Sequence, residues 1–168
     1  CGWPERKAFV EGLACDQKQF GIALIGGDTV STPGPSAFSA TMLGWIPKGR
    51  TVGRKGAQPG DLVFVTGTIG DGWLGLQAAT DRLSLDPERL TALIDHYQRP
   101  VPALVFNEVV REMAHASIDI SDGLIADLGH IATASEVAIK VLLDQIPLSA
   151  AAQSWMDGRV DAQDALRI

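Results

Sequence analysis

Two short segments join glycines to carboxylates in a way that suits phosphate and divalent-cation chemistry. In Ile25-Gly26-Gly27-Asp28-Thr29 an apolar run opens into two glycines and an acid. Glycines let a backbone approach a phosphate closely, and a carboxylate just beyond them can hold a Mg²⁺ that bridges phosphate oxygens. Glycine and Asp are also the commonest turn formers, so a plain turn competes with that reading. No Gly-Lys-Ser/Thr follows, which excludes a P-loop. The second segment is Ser117-Ile118-Asp119-Ile120-Ser121-Asp122-Gly123, read as a strand running into a helix start. A strand would place Asp119 and Ser121 on one face, and the free amides of the following helix would favour an anion. Ser121 or Asp122 serving only as a helix cap is the alternative. Capping leaves Asp119 unexplained, because an Asp flanked by apolar residues is costly to bury unless it is paired or bound to a cation. A third group is Arg50, Arg54 and Lys55, either solvated surface charges or a clamp on a nucleotide phosphate. For such a clamp the planar guanidinium of Arg54 is better suited than the Lys55 ammonium. His96, His115 and His130 show no ligand spacing, so neither a zinc site nor a histidine base is expected.

Around these residues the hydrophobic pattern predicts a helix over Pro4 to Phe20 ended by Gly21, then a short buried strand, Ile22 to Ile25. A turn-rich stretch through Pro33-Gly34-Pro35 leads to a second predicted strand from Ala37 to Ile46. Lys48 to Gly60 holds four glycines and four basic residues, a composition that predicts a linker between two domains. The boundaries expected are 1–50, 51–56 and 57–168. Beyond the linker, strands are predicted at Leu62 to Val65, Ser117 to Ile120 and Val137 to Leu143. Helices are predicted through Trp73, Leu74 and Ala78, from Pro87, from Pro102, and from Ser121 to Ala134. Asp161 to Ile168 reads as one more helix start.

Hydrophobic residues make up 46% and charged residues 20% of the 168, with a mean hydropathy of +0.12, which excludes a chain that is mainly disordered. The uncharged stretch from Val30 to Pro47 carries three prolines, so nothing resembles the roughly 18 apolar residues of a membrane span. A net charge of −6 argues against general nucleic-acid binding. The charge is uneven: residues 1–60 hold seven Lys/Arg against four Asp/Glu, and residues 61–168 hold seven against sixteen. Cys1 and Cys15 are too few and too local to staple a fold, and a reducing cytoplasm is the expected compartment. The chain opens on Cys1 instead of Met, and an excised internal piece is expected.

In order and spacing, several segments together resemble the thiamine-monophosphate kinase family, of the aminoimidazole ribonucleotide synthetase-like ATP-binding superfamily. They are Leu24 to Thr29, Gly49-Arg50, Arg54 to Asp61, Val65 to Asp71, Arg99-Pro100-Val101-Pro102, Ile118 to His130, and Ile146-Pro147-Leu148-Ser149. The resemblance implies an α+β protein of two domains, with residues 1–50 ending the N-terminal ATP- and Mg-binding domain and 57–168 beginning the C-terminal one. It implies transfer of the γ-phosphoryl of ATP to thiamine monophosphate, with Mg²⁺ as cofactor and a homodimer as the intact protein. By position it makes Asp28, Asp119 and Asp122 metal ligands and brings Gly27, Asp28, Arg54 and Ser121 to ATP. The family's early acidic motifs would precede Cys1 and its thiamine-binding motif would follow Ile168, so the chain alone is expected to be inactive. Val30, the Ser31 to Ser36 stretch and Trp73 depart from the family pattern, away from the implied ligands. Another ATP-using member of the superfamily (aminoimidazole ribonucleotide synthetase, selenophosphate synthetase or a hydrogenase-maturation protein) and a non-catalytic metal- or nucleotide-binding module are the competing expectations.

Overall fold

The computed structural model describes residues 2–157 and divides into two compact units, Cys1–Trp45 and Ile46–Ile168. The first is built on helix α1 (Trp3–Phe20), with Pro4 in its opening turn where a missing N–H does no harm. Gly21 ends it in the left-handed region, φ 64°, and passes its N–H to the Gln17 carbonyl. The Gln17 carbonyl also accepts the Ile22 N–H at 3.2 Å, and its side-chain Oε1 accepts the Leu24 N–H at 2.8 Å. One residue thus turns the chain as it leaves the helix. Phe9 stacks on Phe38 with ring centroids 4.5 Å apart.

Among the described residues, five α-helices organise the second unit: α2 (Asp71–Ala79), α3 (Pro87–Gln98), α4 (Asn107–Met113), α5 (Leu124–Ser135) and α6 (Ala150–Met156). Helix α3 starts as its sequence demands, with Asp86 accepting the Arg89 N–H at 3.0 Å and Pro87 in the first turn. Helix α2 packs closely on α3 because Gly75 has no side chain: a Cβ there would lie 2.3 Å from the Leu93 carbonyl oxygen and 2.5 Å from Tyr97 Cβ. Leu74, Leu93, Ala151, Ala152 and Trp155 form one buried cluster, with Trp73 edge-on to Trp155 at 5.5 Å. Ile69, Leu124 and Leu128 form another, flanked by Val65, Ile139, Val141 and Ile146. The two clusters fasten the starts of α5 and α6 to the Val65 to Leu74 segment.

Several expectations need correction. No strand is assigned among the described residues, so the runs at Ile22–Ile25, Ala37–Ile46, Leu62–Val65, Ser117–Ile120 and Val137–Leu143 stand without a ladder. A short apolar run becomes a strand only when a neighbouring backbone pairs with it. What pairs here is isolated: Ile69 N–H to the Pro147 carbonyl and Ser117 N–H to the Gly53 carbonyl, both 2.9 Å. The helix predicted from Pro102 begins later, because a 3₁₀ turn over Leu104–Phe106 precedes α4. Helix α5 begins at Leu124 instead of Ser121, because Gly123 sits at φ 111°, outside helical backbone. Part of the predicted Val137–Leu143 strand ends in a 3₁₀ turn, Leu143–Gln145. The helix expected at Asp161–Ile168 lies outside the described residues. No helix among the described residues is long and apolar enough to cross a membrane.

Candidate functional site

The best-defined candidate ligand loop is Ser121-Asp122-Gly123, and its shape comes from one buried acid. Asp127, in the first turn of α5, is 3% exposed, and its Oδ2 accepts the Ser121 N–H at 2.9 Å and the Asp122 N–H at 3.1 Å. Asp127 also donates its own N–H to the Gly123 carbonyl at 3.0 Å. A carboxylate between two amide donors forms charge-assisted bonds, stronger than neutral ones. Leu124 and Leu128, both buried against Ile69, hold the same helical turn in the core. The backbone at 121–123 is therefore fixed from below while the side chains of Ser121 and Asp122 remain exposed. Neither of them caps the helix: its N-cap is Gly123, with no side-chain cap.

Asp119 is exposed, so the desolvation that would have forced a cation onto it is absent, and with no strand formed it does not share a sheet face with Ser121. Asp122, Asp127 and His130 instead each bring one ligand atom within 4.8 Å of the others. His130 had no visible ligand spacing in the chain; its partner is Asp127, three residues earlier on the same helical face.

At the far end of α5, Ser135 holds the segment that carries Arg54. Its Oγ accepts the N–H groups of Gly56 and Ala57, both at 3.1 Å, and donates to the Arg54 carbonyl at 3.3 Å. Gly56 is required at that point: φ is 138°, and a Cβ would lie 2.3 Å from the His115 carbonyl oxygen. The Arg54 side chain is exposed, whereas Arg50 lies 3.8 Å from Glu112. Close by, Asp61 accepts the Gln58 N–H at 2.8 Å and meets His115 Nδ1 at 2.9 Å. The Gln58 amide first, and His115 second, hold its carboxyl below the usual aspartate value.

Gly27 and Asp28 belong to the first unit, and Arg54, Asp119, Ser121 and Asp122 to the second. Asp28 is exposed and its Oδ1 accepts the Thr29 N–H at 2.7 Å. A Cβ at Gly26 or Gly27 would meet nothing within 4 Å, so packing among the described residues does not demand glycine there.

The chain also carries a buried acid that its sequence did not single out. Asp71, 6% exposed at the start of α2, accepts the Thr68 and Ser149 hydroxyls, each at 2.5 Å. Ser149 in turn caps α6 by accepting the Ala152 N–H at 3.1 Å. Ser149 ahead of three alanines was the available signal for that helix. An open cleft of about 710 Å³ lies beside this pair, lined also by Asp86, Arg89 and His96.

Residues 58–168 match the family model of AIR synthase related protein, C-terminal domain. Among curated proteins, the thiamine-monophosphate kinase of Caulobacter vibrioides is 47% identical over 162 residues, 93% of this chain and 45% of the relative. That of Salmonella typhimurium is 41% identical over 165 residues, 98% of this chain and 49% of the relative. The chain thus spans about half the length of the curated relatives it matches. Among solved structures, AaThiL complexed with AMPPCP and TMP matches with a TM-score of 0.61 at 35% identity, covering 68% of this chain and 38% of that one. Thiamine monophosphate kinase from Aquifex aeolicus matches with 0.62 at 38%, covering 68% and 40%.

Proposed function

This chain belongs to the AIR synthase related family, and on that premise we propose that the full-length protein containing it transfers the γ-phosphoryl group of ATP to thiamine monophosphate, forming thiamine diphosphate. The observation that carries this reading is the 47% identity to a thiamine-monophosphate kinase over 93% of the chain. In such a transfer an ionised phosphate oxygen of thiamine monophosphate attacks Pγ as the bond from Pγ to the β-phosphate oxygen breaks, and ADP leaves. The nucleophile already carries its charge, so no strong base is needed, and positioning and charge neutralisation supply the catalysis.

In this reading Asp28, Asp119 and Asp122 hold Mg²⁺, while Gly27, Asp28, Arg54 and Ser121 contact ATP. The donor set fits: exposed aspartate oxygens are the hard ligands Mg²⁺ prefers, and Asp122 is exposed on a backbone held by Asp127. When bound, Mg²⁺ offsets the repulsion between the two polyanionic substrates. The Ser121 hydroxyl and the Arg54 guanidinium orient phosphate oxygens from the protein side. The open space at Gly27 leaves room for a phosphate against the backbone.

The same reading makes the full-length protein a cytoplasmic homodimer of two α+β domains, with no nucleic-acid or membrane partner. Residues 1–50 close its N-terminal domain, 51–56 link, and 57–168 open its C-terminal domain. The isolated chain would then carry part of a site and turn over little or nothing.

The test is thiamine diphosphate formation by the full-length protein with ATP, Mg²⁺ and thiamine monophosphate, beside Asp28→Asn and Asp119→Asn. Product in the wild type and a loss beyond about a hundredfold in both variants is the expected result. No product from a folded, ATP-binding protein would move the substrate elsewhere in the superfamily, and unimpaired variants would remove those aspartates from the site.

A further inference from the structure

Resting on the phosphotransfer reading, we infer that Asp127 is a positioning residue for that reaction: its buried carboxylate sets the backbone from which Ser121 and Asp122 reach nucleotide and metal. The geometry is specific. One oxygen, Oδ2, takes the N–H groups of both consecutive residues, at 2.9 and 3.1 Å. The acid is 3% exposed and sits between Leu124 and Leu128, which anchor its helical turn in the core. A side chain so placed cannot swing out, and the loop above it cannot shift without breaking two charge-assisted bonds. Gly123, at φ 111°, lets the chain double back over the helix start so that both amides point down at Asp127.

The competing role is that of a third metal ligand beside Asp122 and His130, whose ligand atoms lie within 4.8 Å of its own. Two substitutions separate these roles. Asp127→Asn keeps the position and an acceptor oxygen but drops the charge. Asp127→Glu keeps charge and acceptor but displaces them by one methylene. Positioning through the acceptor predicts that Asn outperforms Glu, and ligation through the charge predicts the reverse. Asp127→Ala removes the acceptor altogether and leaves two amides without their partner.

The experiment measures, in the full-length protein, the Mg²⁺ concentration for half-maximal turnover, Tm, and hydrogen exchange at the Ser121 and Asp122 amides for all three variants. The expected result is a half-saturating Mg²⁺ raised about ten- to a hundredfold in Asp127→Ala, less in Asp127→Glu and least in Asp127→Asn. Faster exchange at the two amides should follow the same order. The inference is overturned if Asp127→Ala matches wild type, if Asp127→Asn is more impaired than Asp127→Glu, or if activity falls only in step with Tm while the Mg²⁺ requirement stays fixed. Should Asp127→Ala fail to fold, the order of Asn and Glu still decides. A wild type that makes no thiamine diphosphate would sink the reaction reading instead, and amide exchange with calorimetric titration of Mg·ATP would still decide the role of Asp127.

Discussion

The two glycine-and-carboxylate segments look alike in sequence and are built on opposite plans. At Ser121-Asp122-Gly123 the backbone is clamped by a buried acid, turned by a glycine in a conformation other residues resist, and seated on buried leucines. At Gly26-Gly27-Asp28-Thr29 the acid bonds only its neighbour's amide among the described residues, the glycines face open space, and the preceding Ile25 is 82% exposed. The first loop has its geometry within its own unit before any ligand arrives. For the second, any ligand that needs a defined arrangement must supply part of the ordering free energy itself. Similar composition therefore does not imply similar preorganisation.

The comparison is tested most severely by truncating the apolar residue beside each segment. Leu124→Ala should lower the unfolding free energy by about 2–5 kcal/mol, whereas Ile25→Ala should change it by less than about 0.5 kcal/mol in urea denaturation of the chain. Equal losses would mean that the two segments are equally supported. A smaller effect separates the glycines. Gly123→Ala forces an L side chain to φ 111° and should cost about 1–3 kcal/mol, while Gly27→Ala should be nearly neutral for stability and act on ATP affinity instead. A strongly destabilised Gly27→Ala would show a constraint on that turn beyond those described above.

Smaller again is the contribution of the clamp on Arg54. Ser135→Ala removes one acceptor for two amides and should raise the KM for ATP a few fold with kcat nearly unchanged, if the exposed Arg54 binds nucleotide without taking part in transfer. The smallest effect is at Asp61, whose carboxyl is depressed by the Gln58 amide and then by His115. A depressed folded value means that its stabilisation is complete above the ordinary aspartate value near 3.8 and is lost as pH falls through the lower one. Asp61→Asn should therefore cost a small, constant amount of stability at neutral pH and converge with the wild type as pH falls through the lower value, flattening the acid limb. An unchanged acid limb would show that the pair contributes nothing there.

The helices α1, α2 and α3 were legible because their signals are local: Pro4 and Gly21 bracket the first, and Asp86-Pro87 opens the third. The 3₁₀ turn ahead of α4 was not, since Pro102 reads equally well as the start of either. Strands are non-local objects, and an apolar run such as Leu62 to Val65 carries no information about which backbone will pair with it. Asp28, Asp119 and Ser121 stood out as candidates by residue chemistry, and Asp122 as a metal-ligand candidate through the family resemblance, yet the chain gave no sign of what holds any of them. Asp127 hid inside an amphipathic pattern, where an acid in the first turn reads as a routine partner for the helix dipole. Likewise the bond between Asp71 and Ser149 joins two recognised segments 78 residues apart, a link no local window could contain.

Helix α5 is gripped at both ends, by Asp127 on the 121–122 loop and by Ser135 on the 54–57 segment. Eight residues separate those grips, about 12 Å of helical rise, so the helix acts as a gauge block whose length in residues is part of the site. Composition along its exposed side can drift freely. A single inserted residue cannot be absorbed in the same way: it would rotate Ser135 by about 100° relative to Asp127 and release the 54–57 segment while leaving the 121–123 loop in place. Length along this helix is thus under tighter constraint than identity, and deletions or insertions there should be far rarer than substitutions.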